Sequence, residues 1–139
     1  MPDAPATYWD PLRRKEVAAT PEEGVRQWFI SVLAEGCSVP KHLMMSEVPL
    51  EFGRKKWRAD ILVYGSDGKP LAVVECKRPG ISIDASVAEQ ALRYNAVLGV
   101  RFIILTNGKN TYIYKSGQNA FTQMDHLPDW QEMTAAWQR

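Results

Sequence analysis

The hydrophobic residues of this chain recur with two periods, one of about 3.6 residues that predicts helices and one of two residues that predicts strands. The first helical stripe consists of Val25, Trp28, Phe29, Val32 and Leu33. Thr20 and Pro21 are favoured at the start of a helix, and Gly36 is favoured just past its end. A first helix is therefore predicted from about Pro21 to Gly36.

Two further helices are predicted nearer the end of the chain. One runs from about Ala85 to Leu98, and Asp84 is its expected N-cap. The other is indicated by Trp130, Met133 and Trp137, which stand at i, i+3 and i+7. This spacing favours a helix that packs its apolar side on the core.

Five segments have the composition of strands, and their order predicts the fold. They are residues 43–50, 58–64, 71–77, 101–106 and 111–115. The first three are joined by turns and can run antiparallel, while the helix after the third can serve as the crossover to a parallel strand. We therefore expect an α/β fold, with a mixed β-sheet flanked by helices in a single domain.

Length and composition fit a folded protein with its own core, since the chain has 139 residues and is 45% hydrophobic. Its apolar runs are too short to span a membrane and its start does not resemble a signal peptide, so we expect the cytoplasm. The net charge of +1 does not itself indicate nucleic acid. Arg54, Lys55, Lys56 and Arg58 nevertheless cluster around Trp57. A solvated turn and a contact with DNA phosphates both fit this cluster.

Charged residues interrupt two of the predicted strands. Asp60 lies in the second strand, and Glu75 and Lys77 lie in the third. Both strands are apolar on both faces, which is typical of interior strands, and a buried carboxylate is costly without a compensating partner. These residues are therefore candidates for a functional site. The alternative is that Glu75 and Lys77 are edge-strand charges and that Asp60 caps the hairpin.

The hairpin between these strands can bring the two acids together. The register in which Leu62 faces Val73 also sets Asp60 opposite Glu75, with Cβ atoms about 5 Å apart. Two carboxylates at that distance repel unless one is protonated or a cation lies between them. Oxygen ligands with waters suit Mg²⁺ or Mn²⁺. A metal there would polarise a phosphate, and Lys77 could orient the attacking water or hold the phosphate.

Helical spacing adds three residues to the candidate site. Glu22 lies close to the apolar face of the first helix, whereas Glu23 points further away, so Glu22 is the better candidate for an extra carboxylate. Gln90 and Tyr94 stand at i and i+4 on the second helix and can both hydrogen-bond a phosphate or hold the lysine. For each residue, the alternative is an ordinary position at a helix end or surface.

Asp60 followed by Glu75-Cys76-Lys77 resembles the PD-(D/E)-x-K pattern of restriction-endonuclease-like nucleases. The surrounding segments sharpen the likeness. They are Pro21–Gln27, Arg58–Ile61, Glu75–Pro79, Gln90–Asn95 and Leu105–Gly108. In that order they resemble the N-terminal nuclease domain of the type I restriction enzyme R subunit, over roughly residues 20–115.

The resemblance implies a restriction-endonuclease-like fold and a DNA endonuclease that uses Mg²⁺ or Mn²⁺. By the family pattern, Asp60 and Glu75 are metal ligands and Lys77 is the catalytic lysine. An acid at the start of the first helix assists them, and the resemblance fits Glu22 and Glu23 equally. Gln90 and Tyr94 match the Gln-x-x-x-Tyr motif of RecB-like nucleases, which supports the site and DNA binding. DNA and other restriction-modification subunits are the implied partners, with no membrane.

Two departures from the family pattern stand out. Ala59 replaces the proline, and the Gly-rich loop of the R subunit's ATP-driven motor is absent. The prediction is one domain over 1–139, with a surface arm (1–19), a nuclease core (20–115) and an extension (116–139) that carries a helix. The alternatives to an endonuclease are a non-catalytic DNA-binding or assembly module that keeps the fold, and a purely structural domain.

Overall fold

A six-stranded mixed β-sheet forms the centre of the computed structural model, which describes residues 6–137 and only the backbone of Phe52, Tyr94, Ala136 and Trp137. Its strands, in spatial order, are β3 (Met44–Phe52), β4 (Lys55–Tyr64), β5 (Pro70–Cys76), β6 (Phe102–Thr106), β7 (Thr111–Ser116) and β8 (Phe121–Met124). The helices are α1 (Pro21–Ser31), α2 (Ala85–Ala96) and α3 (Trp130–Trp137). A two-stranded hairpin of β1 (Thr7–Asp10) and β2 (Lys15–Ala18) precedes α1.

The strand directions confirm the predicted topology. β5 and β6 are parallel and are joined through α2, whereas the other neighbouring strands of the sheet pair antiparallel. A parallel pair needs a crossover of this length, which is why α2 lies between the two strands in the sequence. The predicted fold class, a restriction-endonuclease-like mixed sheet flanked by helices, is confirmed.

Helices cover both faces of the sheet, so the sheet has two hydrophobic cores. On one face, α1, the π-helical turn that follows it and α3 supply Phe29, Leu33 and Met133, which pack with Val74 of β5. On the other face, Ala91 of α2 packs in a smaller cluster with strand residues that lie on that side. Each fully buried aliphatic side chain stabilises the fold by about 1.5–3 kcal/mol. The double cover explains why β5 is buried from Leu71 to Cys76.

The helix starts agree with the sequence prediction. The Thr20 side chain accepts a hydrogen bond from the Glu23 amide at 3.1 Å, with Pro21 at the first helical position. Asp84 accepts from the Val87 amide at 3.0 Å at the start of α2. The first helix differs at its end, because the regular α-helix stops at Ser31 and a π-helical turn continues over Val32–Gly36.

The hairpin of β4 and β5 has the predicted register at its centre. Leu62 pairs with Val73. Towards the turn, the register shifts between Val63 and Tyr64, so that Leu71 packs in the core on the α1 side. Simple alternation predicts Leu71 on the face of Val73, and this is wrong because the shift adds a residue on one strand.

The ends of the described chain contain more regular structure than the sequence predicts. Part of the expected surface arm forms the β1–β2 hairpin, and its Asp10 is fully buried. The Asp10 carboxylate accepts hydrogen bonds from the Leu12 amide, the Ser46 hydroxyl and the Arg13 side chain. The strand β8 is also absent from the prediction. The final helix is confirmed, with Met133 fully buried, while the side chain of Trp137 lies outside the described residues.

Candidate active site

Asp60, near the middle of β4, is a buried carboxylate whose two oxygens both have partners. Its Oδ1 accepts hydrogen bonds from Arg26 Nη2 at 2.6 Å and from Arg26 Nε at 3.2 Å. Its Oδ2 accepts from the Cys76 amide at 2.8 Å. Burial nevertheless raises the pKa of Asp60, because the loss of hydration outweighs the lowering by Cys76 and Arg26.

Arg26 is the counter-ion of the acidic residues that surround Asp60. Besides Asp60, its guanidinium contacts Glu47 at 2.6 Å, Glu23 at 2.6 Å and Glu22 at 3.7 Å. Burial alone lowers the pKa of Arg26, but the hydrogen bond and charge of Asp60 and the charges of its neighbours raise it above the ordinary value. Arg26 is therefore a permanently charged, buried cation.

Glu75, on β5, lies next to Asp60 and has a different environment. The residue is 7% exposed, and its Oε1 has no hydrogen-bond partner among the described residues. Burial, followed by the negative charge of Asp60, raises the pKa of Glu75 to about 9 although the charge of Lys77 opposes the shift. An unsatisfied buried polar group costs about 1–3 kcal/mol, so Glu75 gains free energy from any proton or cation that reaches it.

A cleft of about 210 Å³ opens beside Glu75. Glu75, Lys77, Gln90 and Trp57 contribute its polar and aromatic lining, and apolar residues of α2, of the loop before it and of β6 contribute the rest. This volume holds several water molecules, each of which occupies about 30 Å³ in the liquid. The cleft therefore gives solvent and small ions access to an acid and a lysine.

Glu22 and Glu23 are placed differently, although they are adjacent in α1. Burial and the charge of Asp60 raise the pKa of Glu22, and the charge of Lys77 acts in the opposite direction. The Glu22 side chain, 48% exposed, thus lies within electrostatic reach of both residues. Glu23 is buried instead and accepts from Arg13 at 2.7 Å and from Arg26. Of the two acids, Glu22 faces the candidate site.

The remaining predicted residues are Lys77, Gln90 and Tyr94. The Lys77 amide donates to the Thr106 carbonyl at 2.8 Å, which anchors the chain just past the end of β5. Gln90 is exposed and lines the cleft. The Tyr94 side chain lies outside the described residues, so its predicted role stays a prediction.

Sequence reasoning missed Arg26, Glu47 and Asn95. Glu47 has a φ of 54°, and the pairing of β3 with β4 is interrupted at this residue. Such left-handed backbone costs a residue other than glycine on the order of 1–3 kcal/mol and concentrates at functional sites. Asn95 is fully buried, and its Oδ1 has no partner among the residues that the structure describes. The sequence signal for Arg26 was its i, i+4 spacing from Glu22.

The donor set fits a hard divalent cation. Within residues 6–137 no group of three or more His, Cys, Asp or Glu side chains is arranged to hold a metal. Mg²⁺, however, is commonly bound through one or two carboxylates while waters and phosphates complete the shell. Glu75 and the neighbouring Asp60 supply two such carboxylates, and Glu75 Oε1 has no hydrogen-bond partner within the described part of the chain. The described helices contain no segment with the length and apolarity needed to cross a membrane.

The mixed sheet, with its antiparallel β3–β4–β5 strands and parallel β5–β6 pair, places the protein in the restriction-endonuclease-like class of folds. The chain belongs to the family "type I restriction enzyme R protein N terminus", whose sequence pattern matches residues 21–128. No curated protein matches the chain.

Two solved structures resemble the fold. One is a fragment assigned as the HsdR subunit of a type I restriction enzyme from Vibrio vulnificus YJ016, with a TM-score of 0.62 and 18% identity. The match covers 84% of this chain and 25% of that one, so the chain spans a quarter of the fragment. The other, from Anabaena variabilis ATCC 29413, is assigned as a nuclease of the group DUF820. It has a TM-score of 0.54 and 15% identity, over 97% and 88% of the two chains. At these identities the likeness shows the fold alone.

Proposed function

We propose that this chain is a Mg²⁺-dependent DNA endonuclease module, with Mn²⁺ as an alternative metal. The observation that carries the proposal is the buried Glu75 Oε1, which has no hydrogen-bond partner among the side chains that the structure describes and lies beside Asp60 at a cleft that also contains Lys77. Membership of the R protein N-terminal family supports the same reaction. The compartment that we propose for this reaction is the cytoplasm.

Each residue has a role in the proposed hydrolysis of a phosphodiester. Asp60 and Glu75 would hold the metal, which when bound polarises the phosphate and lowers the pKa of a coordinated water. Lys77 carries a fixed positive charge at the cleft and would stabilise the negative charge that develops on the phosphate. Glu22, half exposed at the same site, would assist by accepting a proton from the attacking water.

Gln90 and Tyr94 complete the proposal as substrate-binding residues. Gln90 lines the cleft from α2, where its side-chain amide can donate to a phosphate oxygen. Tyr94 follows one helical turn later. We propose that DNA and other restriction-modification subunits are its partners, because the chain belongs to the R protein N-terminal family.

Plasmid cleavage by the purified protein tests this function. We expect nicking or linearisation in Mg²⁺ or Mn²⁺, none in EDTA, and a loss on the order of 10²-fold or more in Glu75→Gln and Lys77→Ala. Glu89→Gln, an exposed acid on α2, is the matched control and should cleave like the wild type. Cleavage in EDTA, or full activity in both site variants, would refute the proposal.

A second candidate is a non-catalytic DNA-binding or assembly module. It is favoured by one observation, which is that Arg26 already pairs with the Asp60 oxygen that a metal would compete for. This candidate predicts DNA or partner binding with no cleavage under any metal. Metal-dependent nicking that disappears in Glu75→Gln would exclude it.

A further inference from the structure

The tip of the β3–β4 hairpin carries a net positive charge, whereas the rest of the chain carries a net negative charge. Arg54, Lys55, Lys56 and Arg58 fall within five consecutive residues, and all four are exposed. The chain has 17 Lys and Arg against 16 Asp and Glu, so without these four cations the remainder carries a net charge of −3. The hairpin is thus a local basic patch on a molecule that is otherwise slightly acidic.

Two acids lie beside this patch. Arg58 contacts Glu47 at 3.1 Å, but the Arg58 side chain is 70% exposed, so the pair is weak. Glu51 stands opposite Lys56 in the register of the two strands. Counting both strands of the tip, residues 51–58 keep a net charge of +3.

Trp57 connects the patch to the candidate active site. It lines the cleft that contains Glu75 and Lys77. It also lines an adjoining hollow whose other walls are Lys55, Lys56 and Gln90. A chain that runs across the two lysines therefore reaches the cleft by passing over an indole ring.

We propose that residues 51–58 form a DNA-contact arm, in which Arg54, Lys55 and Lys56 bind backbone phosphates and Trp57 stacks on a base at the mouth of the cleft. The inference rests on the proposed function and adds a substrate class to it. Phosphate contacts position a DNA strand without reading its sequence. Inside a duplex the faces of the bases are covered by their neighbours, so the ring reaches a base most readily in an unpaired segment. The arm thus selects DNA with an unpaired segment next to the cleaved bond.

Binding measured in EDTA tests the arm separately from cleavage. The probe is a fluorescent DNA hairpin with a single-stranded tail, titrated by anisotropy over a salt series. The double variant Arg54→Gln/Lys56→Gln should reduce the slope of log K against log salt by about two, since each lost phosphate contact removes about 0.9. Lys15→Gln/Lys109→Gln, two exposed lysines elsewhere, is the matched control and should leave the slope unchanged.

Trp57→Leu tests the substrate class. It should weaken binding of the tailed DNA by about tenfold and change binding of a blunt duplex by less than about twofold. Melting curves of every variant should match the wild type, which shows that the fold is intact. In Mg²⁺, the arm variants should raise KM and leave kcat unchanged.

The results that overturn the arm differ from those that overturn the nuclease. Retention of the wild-type salt slope by Arg54→Gln/Lys56→Gln contradicts the DNA-contact arm, even if the protein cleaves DNA. So does an arm variant that binds DNA normally and loses binding of an acidic partner protein. Conversely, a reduced slope with no cleavage in any metal supports the arm and contradicts the proposed nuclease.

Discussion

Asp60 and Glu75 are buried acids on adjacent strands, yet they differ in the hydrogen bonds that their carboxylates accept. Asp60 has hydrogen bonds on both oxygens, from Arg26 and from the Cys76 amide. Glu75 keeps one oxygen without a partner within the described part of the chain. The Asp60 carboxylate is stabilised by hydrogen bonds within the protein, whereas the Glu75 carboxylate needs a proton or a cation that enters through the cleft. Both residues are unusual because they are buried. Their hydrogen bonds distinguish them, since both Asp60 oxygens already have partners and one Glu75 oxygen has none among the described residues.

Removal of the Arg26 cation, which pairs with Asp60, should have the largest effect on stability. Arg26→Met leaves Asp60 buried without its cation and removes one of the two arginines that pair with Glu23, which should destabilise the protein by about 3–5 kcal/mol. Urea unfolding measures the loss. Arg93→Met, an exposed arginine on α2, is the control and should change stability by about 0.5 kcal/mol or less. A loss below about 1 kcal/mol for Arg26→Met would mean that the acids do not need this cation.

The buried Glu75 carboxylate should make the free energy of unfolding depend on pH in metal-free buffer. Because the pKa of Glu75 is raised from 4.5 to about 9, the folded state holds a proton that the unfolded state has released between these values. Stability should be highest below about pH 4.5 for this group and should fall as pH rises towards 9, by about 1 kcal/mol per unit.

Glu75→Gln isolates that contribution, since the amide has no proton to lose. The variant should be more stable than the wild type near pH 8 and similar to it near pH 5, measured by urea unfolding in EDTA. Glu89→Gln should reproduce the wild-type curve, because this side chain is exposed. Equal pH profiles for Glu75→Gln and the wild type would contradict the raised pKa.

The smallest expected effect concerns two arginines that share one acid. Glu47 contacts both the buried Arg26 and the exposed Arg58. Arg58→Ala removes an exposed pair, so it should cost at most about 1 kcal/mol, far less than Arg26→Met. The same unfolding assay compares the two, and a larger loss for Arg58→Ala would reverse the assignment of Arg26 as the main counter-ion.

The features that could be predicted from sequence depend on neighbours along the chain. The N-cap at Thr20, the crossover helix α2 and the pairing of Leu62 with Val73 all follow from local preferences and alternation. Asp60 and Glu75 stood out because acids interrupt apolar strands. Helical spacing did not predict which acid of α1 is buried, because it set Glu22 nearer the apolar face and the structure buries Glu23.

The features that escaped prediction depend on distant partners or on backbone irregularity. Arg26 meets Asp60 across 34 residues of sequence, and its local signal, the i, i+4 spacing from Glu22, is equally common at exposed ion pairs on helices. The left-handed Glu47 interrupts a segment that has an ordinary strand pattern. In the β1–β2 hairpin the fully buried residue of β1 is an acid, Asp10, which is stabilised by Arg13 and Ser46 rather than by a hydrophobic contact.

The most direct test of the account is the melting temperature with and without saturating Mn²⁺, for the wild type, Glu75→Gln and Glu89→Gln. If Glu75 and Asp60 hold the ion, Mn²⁺ at about 100 times its Kd should stabilise the wild type by about 2.7 kcal/mol, seen as a rise of several degrees. Glu89→Gln should show the same rise and Glu75→Gln almost none. An equal rise in Glu75→Gln, or no rise in the wild type, would contradict the proposed metal site.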